Sequence, residues 1–370
     1  MEIKQTNSKS IFCEFDCCES RQERFKVTIK SGNQVLNYGE FDSLPQFLLY
    51  LYENCPINNG IIKKKVDYIK GSGFNLSTGN ATELLERSNN GEGIWSLINK
   101  LAYDLVIFGG YSIEVIPNIF KTLYSINYAD FSRLRWIKPE NTPVVDKLVY
   151  KKLDNDIYTP DYIYPIYKST EFDYPQIVYT KVEYCPGHYY YPLPSYFSAV
   201  KDIESDIGLN EWRQQLIEGN FTPSSIITIP VSTGEDEHEA LVQKVRDLTR
   251  KKQGGILLLE AENEFVTSFT PLSLDPFKKE FESFMNASRE NIIIAHGLTS
   301  KALVALQEGA TLGGDGNALA VSQTEFYKSQ IIPAQNNITN TINKLIKDAG
   351  IDDEISIINE EPVSVEPPTV

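Results

Sequence analysis

The sequence has few residues of the kinds that hold metals or form disulfides. Its 370 residues include five cysteines and three histidines. Three cysteines, Cys13, Cys17 and Cys18, form a C-x3-C-C cluster, which lacks the second ligand pair typical of structural zinc sites. Zinc stays an alternative there, but buried or edge-strand thiols are favoured. The odd cysteine count argues against a disulfide framework and for reduced thiols in a cytosolic setting.

Long apolar segments are also missing. The apolar runs, such as Ile256 to Leu259 and Ile292 to Ala295, fall far short of the roughly 20 residues that a membrane helix needs. The first residues include Glu2, Lys4 and Lys9 without an apolar stretch, so we expect no secretory signal. We therefore expect no membrane partner.

Positive charge is scarce. The chain has 35 Lys and Arg against 50 Asp and Glu, which gives a net charge of −15 and a pI near 4.8. A protein that grips nucleic acid through its phosphates is normally basic where it touches them. The composition therefore argues against a tight, free-standing DNA binder, but it is compatible with a passage through which DNA slides.

The motifs of common enzymes are absent. The sequence contains no Walker A loop, no G-x-S-x-G and no H-E-x-x-H. A calcium-loop start at Asp154-Asn155-Asp156 is followed by Thr159 where the turn needs glycine. His296 precedes Gly297 at a predicted helix end, where a C-terminal charge is the simplest role. We assign no catalytic residue, metal ligand or cofactor, and an acidic α/β hydrolase or transferase remains the less favoured alternative.

Apolar and aromatic residues are abundant, at 41% and 11%, so the chain can bury a large core. Strand-forming residues predict β structure before residue 40, and a helix opens after Asp42-Ser43 and is expected to end at Pro56 to Gly60. Further elements are predicted as helices at 82–87 and 94–108 and strands at 111–116, 123–128 and 133–137. Between Tyr150 and Tyr191 tyrosines alternate with prolines, which predicts short strands and loops that form an interface or a local packed layer.

Two long helices are predicted at 194–219 and 275–296 from apolar residues at helical spacing. They flank an α/β insert with predicted strands at 221–230, 256–259 and 264–269 and a helix at 235–252. A Gly-rich loop follows, then a helix from about Ala318 to Lys347 that is interrupted at Pro333. If the two long helices pack side by side, the insert projects from one end of the pair and the loop lies at the other. One copy buries such helices poorly, so we expect assembly with further copies, for which a ring is a closed solution.

Several stretches in this order resemble the portal proteins of tailed bacteriophages. They are VDYIKGSGF at 66–74, AYDLVIFGGY at 102–111, YYPLPSY at 190–196, NFTPSSII at 220–227, GGDGN at 313–317 and IIPAQ at 331–335, with Phe326 before the last. Together they span roughly residues 60–346. Their order carries the resemblance more than any single motif does.

The resemblance implies an α+β portal fold with an α/β wing, two long stem helices, a small α/β clip and a tunnel loop. The implied regions are the wing 1–193, the stem helices 194–218 and 275–297, the clip 219–274, the tunnel loop 298–316, a wing helix 317–346 and an acidic C-terminal tail 347–370. Family members often carry a helical crown at the C-terminus. The acidic, proline-containing segment from Ile351 to Val370 is expected to be flexible, so the crown is reduced or absent.

The resemblance also implies a function. A homo-dodecamer at one capsid vertex of the virion, assembled in the host cytoplasm, would form a DNA channel for genome packaging, retention and ejection. The implied partners are double-stranded DNA bound without sequence preference, the terminase, the major capsid protein and a head–tail adaptor protein. Another ring-forming capsid or head–tail adaptor protein is the main alternative.

Candidate residues follow from these implied roles. The tunnel-loop candidates for transient DNA contact are Lys301, Gln307, Glu308, Thr311, Asp315 and Asn317. The channel-facing stem candidates are Asp202, Glu204, Asp206 and Glu211. The clip candidates for docking partners are Glu235, Asp236, Arg246, Arg250, Lys251 and Lys252. Acidic side chains around a channel would disfavour adhesion of the duplex.

Overall fold

The structure is a computed structural model. It describes residues 35–138, 145–151, 162–169, 173–218, 225–230, 256–261, 268–271, 275–298, 303 and 316–359. The predicted strands before residue 35, the cysteine cluster at 13–18, the residues around Asp154 and the predicted helix 235–252 lie outside these ranges. The described chain contains both helices and strands, so the expected mixture of α and β structure is confirmed.

Eight α-helices lie within the described ranges. They are α1 (Leu44–Asn54), α2 (Pro56–Lys70), α3 (Thr82–Arg87), α4 (Ile94–Phe108), α5 (Val200–Glu218), α6 (Asp275–Ala295), α7 (Gly316–Phe326) and α8 (Ile332–Asp348). A 3-10 turn at Ser195–Ala199 leads into α5, and a π-helical turn at Tyr327–Ile331 joins α7 to α8. The two predicted long helices are thus confirmed. Pro56 was expected to end a helix, but it begins α2, because proline fits a first turn where its missing N–H is not needed.

Eleven strands form four small sheets in the same ranges. They are β1 (Gly73–Leu76), β2 (Gly110–Pro117), β3 (Leu123–Tyr128), β4 (Leu134–Trp136), β5 (Lys147–Tyr150), β6 (Tyr162–Pro165), β7 (Gln176–Lys181), β8 (Ser225–Pro230), β9 (Ile256–Ala261), β10 (Ser268–Pro271) and β11 (Ile355–Ile358). The sheet orders are β3-β2-β7, β4-β5-β6, β10-β8-β9 and β1-β11. All neighbours are antiparallel except β8 and β9. Parallel strands need a crossover of a dozen or more residues, and the interval between Pro230 and Ile256 provides that length.

A buried helical layer supports the β2 sheet. Leu97, Ile98 and Leu101 of α4 are fully buried, as the apolar spacing of this segment predicts. At the end of α4, Gly109 takes a left-handed conformation (φ 83°) that caps the helix. A Cβ on the next residue, Gly110, would lie 2.6 Å from the carbonyl oxygen of Thr180. Two glycines therefore permit the tight passage from α4 into β2.

The tyrosine-rich stretch is divided between core and surface. The ring of Tyr191 stacks on Tyr38 at 4.2 Å, and its hydroxyl donates to the carbonyl of Leu36. Tyr184 and Tyr189 are more than three-quarters exposed. The expectation of a locally packed layer thus holds for the buried tyrosines, whereas Tyr184 and Tyr189 lie on the surface of the chain.

Residues 351–359 of the C-terminal segment are ordered, contrary to the expected flexibility from Ile351. β11 pairs antiparallel with β1. The buried carboxylate of Asp353 accepts hydrogen bonds from the backbone N–H groups of Thr78 and Ala81 and from the hydroxyl of Ser77. The acidic composition predicted a solvated tail. The carboxylate of Asp353 is instead buried, because hydrogen-bond donors from a distant part of the chain surround it.

Candidate functional site

The two long helices pack as an antiparallel pair, here called the helix pair. Asn291 of α6 donates to Asp202 of α5 at 3.1 Å, and Arg289 lies one step further along opposite Asp206. Because the matched residue numbers run in opposite directions, the end of α5 and the start of α6 lie at one end of the pair. The strands β8, β9 and β10 occur in the chain between those two ends. The expected side-by-side arrangement is therefore present.

Asp206 does not face outward, so its assignment as a channel-facing residue is wrong. It is 2% exposed. Its Oδ2 accepts hydrogen bonds from the thiol of Cys55 at 3.5 Å and the amide of Asn210 at 3.2 Å. Burial, and to a smaller extent the charge of Asp206, raise the pKa of Cys55 to about 11, so the thiol stays protonated and can donate. The buried neighbours Ile203 and Ile207 at helical spacing were the sequence signal for this inward position.

The other acidic candidates on α5 differ in exposure. Asp202 and Glu204 are half-buried, and Glu211 is exposed. Asp202 is held by Asn291, as described above. Of the four candidates, Glu211 is thus the one that is exposed in the single chain.

The opposite end of the helix pair is fixed by His296, the residue after α6. Its ring is fully buried and stacks on Tyr196 at 4.6 Å, and Nε2 lies 2.9 Å from Oδ1 of Asn58. The amide of Asn58 donates to the carbonyl of Leu51, so its Oδ1 accepts and the neutral imidazole carries its proton on Nε2. At this one end of the helix pair, His296 thereby joins both helices to α2.

His296 is not a charged helix end, contrary to the expectation from sequence. Burial, with a smaller contribution from the positive charge of Lys65, holds the pKa of His296 well below its usual value. Nδ1 has no hydrogen-bond partner among the described residues. No sequence signal pointed to this environment, because Asn58, Lys65 and Tyr196 are distant from His296 in the chain.

Lys65 lines a cavity at this junction. The cavity has a volume of about 300 Å³ and lies between α2, α4, the residues after β7 and the π-helical turn. Lys65 is 5% exposed, and burial lowers its pKa to about 8, while the charge of Glu183 in the same wall opposes this shift.

The chain leaves the helix pair through Gly297. This residue has φ 70°, and a Cβ here would lie 3.2 Å from the side-chain amide of Gln330 in the π-helical turn. Leu298 and Leu303 are buried. The beginning of the Gly-rich segment is therefore anchored to the body of the protein.

Most of the other candidates lie outside the described residues. These are Lys301, Gln307, Glu308, Thr311 and Asp315 of the Gly-rich segment and Glu235, Asp236, Arg246, Arg250, Lys251 and Lys252 of the insert. Asn317 lies in the first turn of α7. Their roles stay predictions.

The described ranges offer neither a cluster of metal-ligating side chains nor a membrane-spanning helix. They contain no group of three or more His, Cys, Asp or Glu side chains that could hold a metal ion. Among the same residues, no helix combines the length and apolar character needed to cross a bilayer.

Comparison with known proteins gives matches in structure and none in sequence. No family model and no curated protein matches the chain. The neck of an empty gene transfer agent (GTA) particle, computed with C6 symmetry, has a TM-score of 0.58 and 14% identity over 84% of this chain and 83% of the other. The neck of a native GTA particle, computed with C12 symmetry, has a TM-score of 0.55 and 15% identity over 87% of this chain and 86% of the other.

The chain has the fold of a particle-neck component. The resemblance to phage portal, or head–tail connector, proteins is thereby confirmed at the level of the fold. A phage portal protein of the HK97 family from Corynebacterium diphtheriae matches more distantly, with a TM-score of 0.48 and 8% identity over 84% of this chain and 94% of its own.

Proposed function

We propose that this chain is the subunit of a portal, a ring-shaped connector at one capsid vertex through which DNA enters and leaves. The observation that carries the proposal is the antiparallel helix pair within a particle-neck fold. The insert with β8, β9 and β10 leaves the helix pair at one end, and the Gly-rich segment leaves it at the other. One end can therefore line a passage while the other binds a docking partner. Packaging, retention and ejection of the genome are the functions of such a passage.

The regions of the chain take the following roles in this proposal. The helix pair forms the stem, the β10-β8-β9 sheet with its connections forms the clip, and residues 298–316 form the tunnel loop. Residues 1–193 and 317–346 form the wing, and the acidic C-terminal segment replaces a crown.

Self-assembly is supported by the outer surface of the helix pair. Phe284 and Ile294 of α6 are 69% and 70% exposed, although large apolar side chains are more often buried. Further copies would cover them. Twelve copies are proposed, because one of the similar necks was computed with C12 symmetry.

A weak hold on DNA is supported by the charge of the chain. Each subunit contributes a net charge of −15, so exposed carboxylates such as Glu211 would repel the phosphates and let the duplex slide. Lys301 would touch phosphates transiently, and phosphate contacts carry no base information. The proposed hold is therefore independent of DNA sequence.

The proposed partners follow from the two ends of the channel. The clip, with its acidic residues near Glu235 and basic residues near Lys251, would dock the terminase during packaging and a head–tail adaptor protein afterwards. The wing would contact the major capsid protein. The completed ring would reside at the portal vertex of the virion after assembly in the host cytoplasm.

Negative-stain electron microscopy of the purified protein tests the proposal. We expect rings with a central hole wide enough for duplex DNA, and sedimentation that corresponds to about twelve chains. A protein that stays monomeric at all concentrations would refute it. A closed ring of a clearly different copy number would favour the alternative of another head–tail adaptor.

A further inference from the structure

The turn between β2 and β3 presents two large apolar side chains to solvent. Ile119 and Phe120 are 89% and 79% exposed. Together with Lys121 they are here called the hairpin tip. Such side chains usually lie inside a protein or in an interface.

The hairpin tip is held rigid by its own hydrogen bonds. Oδ1 of Asn118 accepts from the backbone N–H groups of Phe120 at 2.8 Å and Thr122 at 3.1 Å. The backbone N–H of Asn118 donates to the carbonyl of Thr122, and that of Lys121 donates to the carbonyl of Asn118. A turn ordered in this way loses little conformational entropy when it binds. The exposed side chains are therefore preorganised for a contact.

An apolar cavity of suitable size lies elsewhere on the same chain. It has a volume of about 180 Å³ and is here called the Trp95 cavity. Its apolar walls are Phe74, Leu76, Leu85, Ile94 and Trp95. An apolar protein cavity of about 150 Å³ can hold a benzene molecule, so the ring of one phenylalanine fits.

The hairpin and the cavity lie against different faces of α3. The guanidinium of Arg87 in α3 lies 5.0 Å from the ring of Tyr124 in β3, so this face of α3 is turned towards the hairpin. Leu85 and Glu86 lie on a different face of α3 and line the cavity. Tip and cavity thus lie on different sides of α3, as a head-to-tail contact between copies requires.

Charges beside the two apolar features are complementary. Lys121 follows Phe120 at the tip, and its side chain is 70% exposed. Glu86 is an exposed residue of the cavity wall. Lys121 now pairs with Asp173, but both side chains are at least half exposed, and such pairs contribute little stability. Lys121 can therefore leave Asp173 and pair with Glu86 of another copy at little cost in free energy.

We propose that Phe120 of one copy inserts into the Trp95 cavity of a neighbouring copy, with Lys121 paired to Glu86 across the contact. This inference rests on the self-assembly in the proposed function and adds to it a specific contact. Repeated around a ring, the tip of each copy would fill the cavity of the next.

Sedimentation velocity over a range of protein concentrations tests the contact. Phe120→Ser is expected to raise the concentration needed for half assembly by at least about tenfold, because buried aromatic anchors carry much of the binding free energy. Tyr184→Ser is the matched control, since Tyr184 is 82% exposed, and it should assemble like the wild type. Circular dichroism and thermal unfolding verify that each variant is folded.

A charge exchange tests the pairing separately. Lys121→Glu and Glu86→Lys should each weaken assembly, and the double variant should recover most of the wild-type behaviour. If the double variant stays as weak as the single ones, the Lys121–Glu86 pairing is wrong. If the wild type forms rings and folded Phe120→Ser forms them at unchanged concentrations, the tip contact is refuted while the proposed function stands. A monomeric wild type would refute the proposed function itself.

Discussion

Asp206 of α5 and Arg289 of α6 form an ion pair that connects the two long helices, with Nε of Arg289 3.5 Å from Oδ1 of Asp206. The side chain of Asp206 is 3% exposed and that of Arg289 is 37% exposed. The same carboxylate accepts from Cys55, which lies between α1 and α2. One acidic side chain therefore joins the helix pair to the rest of the protein.

Replacement of Asp206 should weaken this junction. Asp206→Ala removes the acceptor of Cys55 and Asn210 and the charge opposite Arg289, and we expect a loss of about 2 kcal/mol in the free energy of unfolding. Urea unfolding followed by tryptophan fluorescence measures the change. Glu211→Ala on the same helix is the control, because Glu211 is exposed and should change the stability by less than about 0.5 kcal/mol. Equal effects of the two variants would contradict the structural role of Asp206.

His296 predicts a dependence of stability on pH. Its pKa in the folded protein lies well below the usual value of 6.5 because the ring is buried. As the pH falls below about 6.5, the unfolded chain takes up a proton at this residue that the folded chain does not, so stability decreases with a slope of at most about 1.4 kcal/mol per pH unit. Above that pH the ring of His296 is neutral in both the folded and the unfolded chain, so it no longer contributes to the pH dependence of stability.

Urea unfolding between pH 7.5 and 5.0 measures this dependence. His296→Gln lacks the titrating ring, so its curve should be flatter than that of the wild type over this window. His188 and His238 are present in both proteins and cancel in the comparison. Parallel curves for the two proteins would show that His296 titrates normally in the folded state.

The sequence predicts the helices of this protein better than its junctions. The long helices and the strands β2 and β3 follow from periodic apolar residues and from glycine and proline at their ends. Asp206 was assigned to the outside because acidic residues are usually solvated. The partners that bury it, Cys55 and Arg289, are far away in the chain, and neither occurs in a motif.

The ordered C-terminal segment was missed for a similar reason. Acidic residues and prolines indicate a solvated tail. Asp353, however, accepts hydrogen bonds from backbone N–H groups of the turn at 77–81. These donors are far away in the chain, so the sequence around Asp353 does not indicate them. The candidates in the insert and the Gly-rich segment have no described contacts, so their roles rest on the resemblance alone.

Asp353 should control the attachment of β11. Hydrogen bonds from the turn at 77–81 and from its own neighbour Glu354 hold the pKa of Asp353 below its usual value although burial opposes this. The attachment is therefore fully present above about pH 4 and is lost as the pH falls towards the lower folded pKa. Asp353→Asn, which lacks the charge, should release β11 at neutral pH.

Limited proteolysis with mass spectrometry detects that release. Cleavage between residues 349 and 359 should be at least several times faster in Asp353→Asn than in the wild type. Asp352→Asn is the control, because the side chain of Asp352 is exposed and only its carbonyl accepts hydrogen bonds. Equal cleavage of both variants would mean that β11 is held by strand pairing alone.

Gly110 and Gly60 should respond oppositely to alanine. A Cβ on Gly110 would lie 2.6 Å from the carbonyl of Thr180, a contact with rigid backbone, whereas nothing lies within 4 Å of a Cβ on Gly60 in α2. Gly110→Ala should lower the unfolding free energy by about 2 kcal/mol or more. Gly60→Ala should raise it by about 0.5–1 kcal/mol through helix propensity. Thermal unfolding compares both with the wild type, and a stable Gly110→Ala protein would contradict the close approach of β2 and β7.

The Gly-rich segment should contribute to the retention of DNA in the proposed channel. Its beginning is anchored by Gly297 and Leu298, and α7 begins at Gly316. Shortening the segment between Gly309 and Gly316 should therefore leave the helix pair and the ring intact but reduce retention of packaged DNA, because it removes the candidates Thr311 and Asp315 and shortens the reach of Lys301 towards the duplex. Electron microscopy checks the ring, and nuclease protection of DNA in assembled particles measures retention. A variant of equal length in which the residues 309–316 are reordered separates loss of length from loss of sequence, and normal retention in the shortened protein would remove this segment from the mechanism.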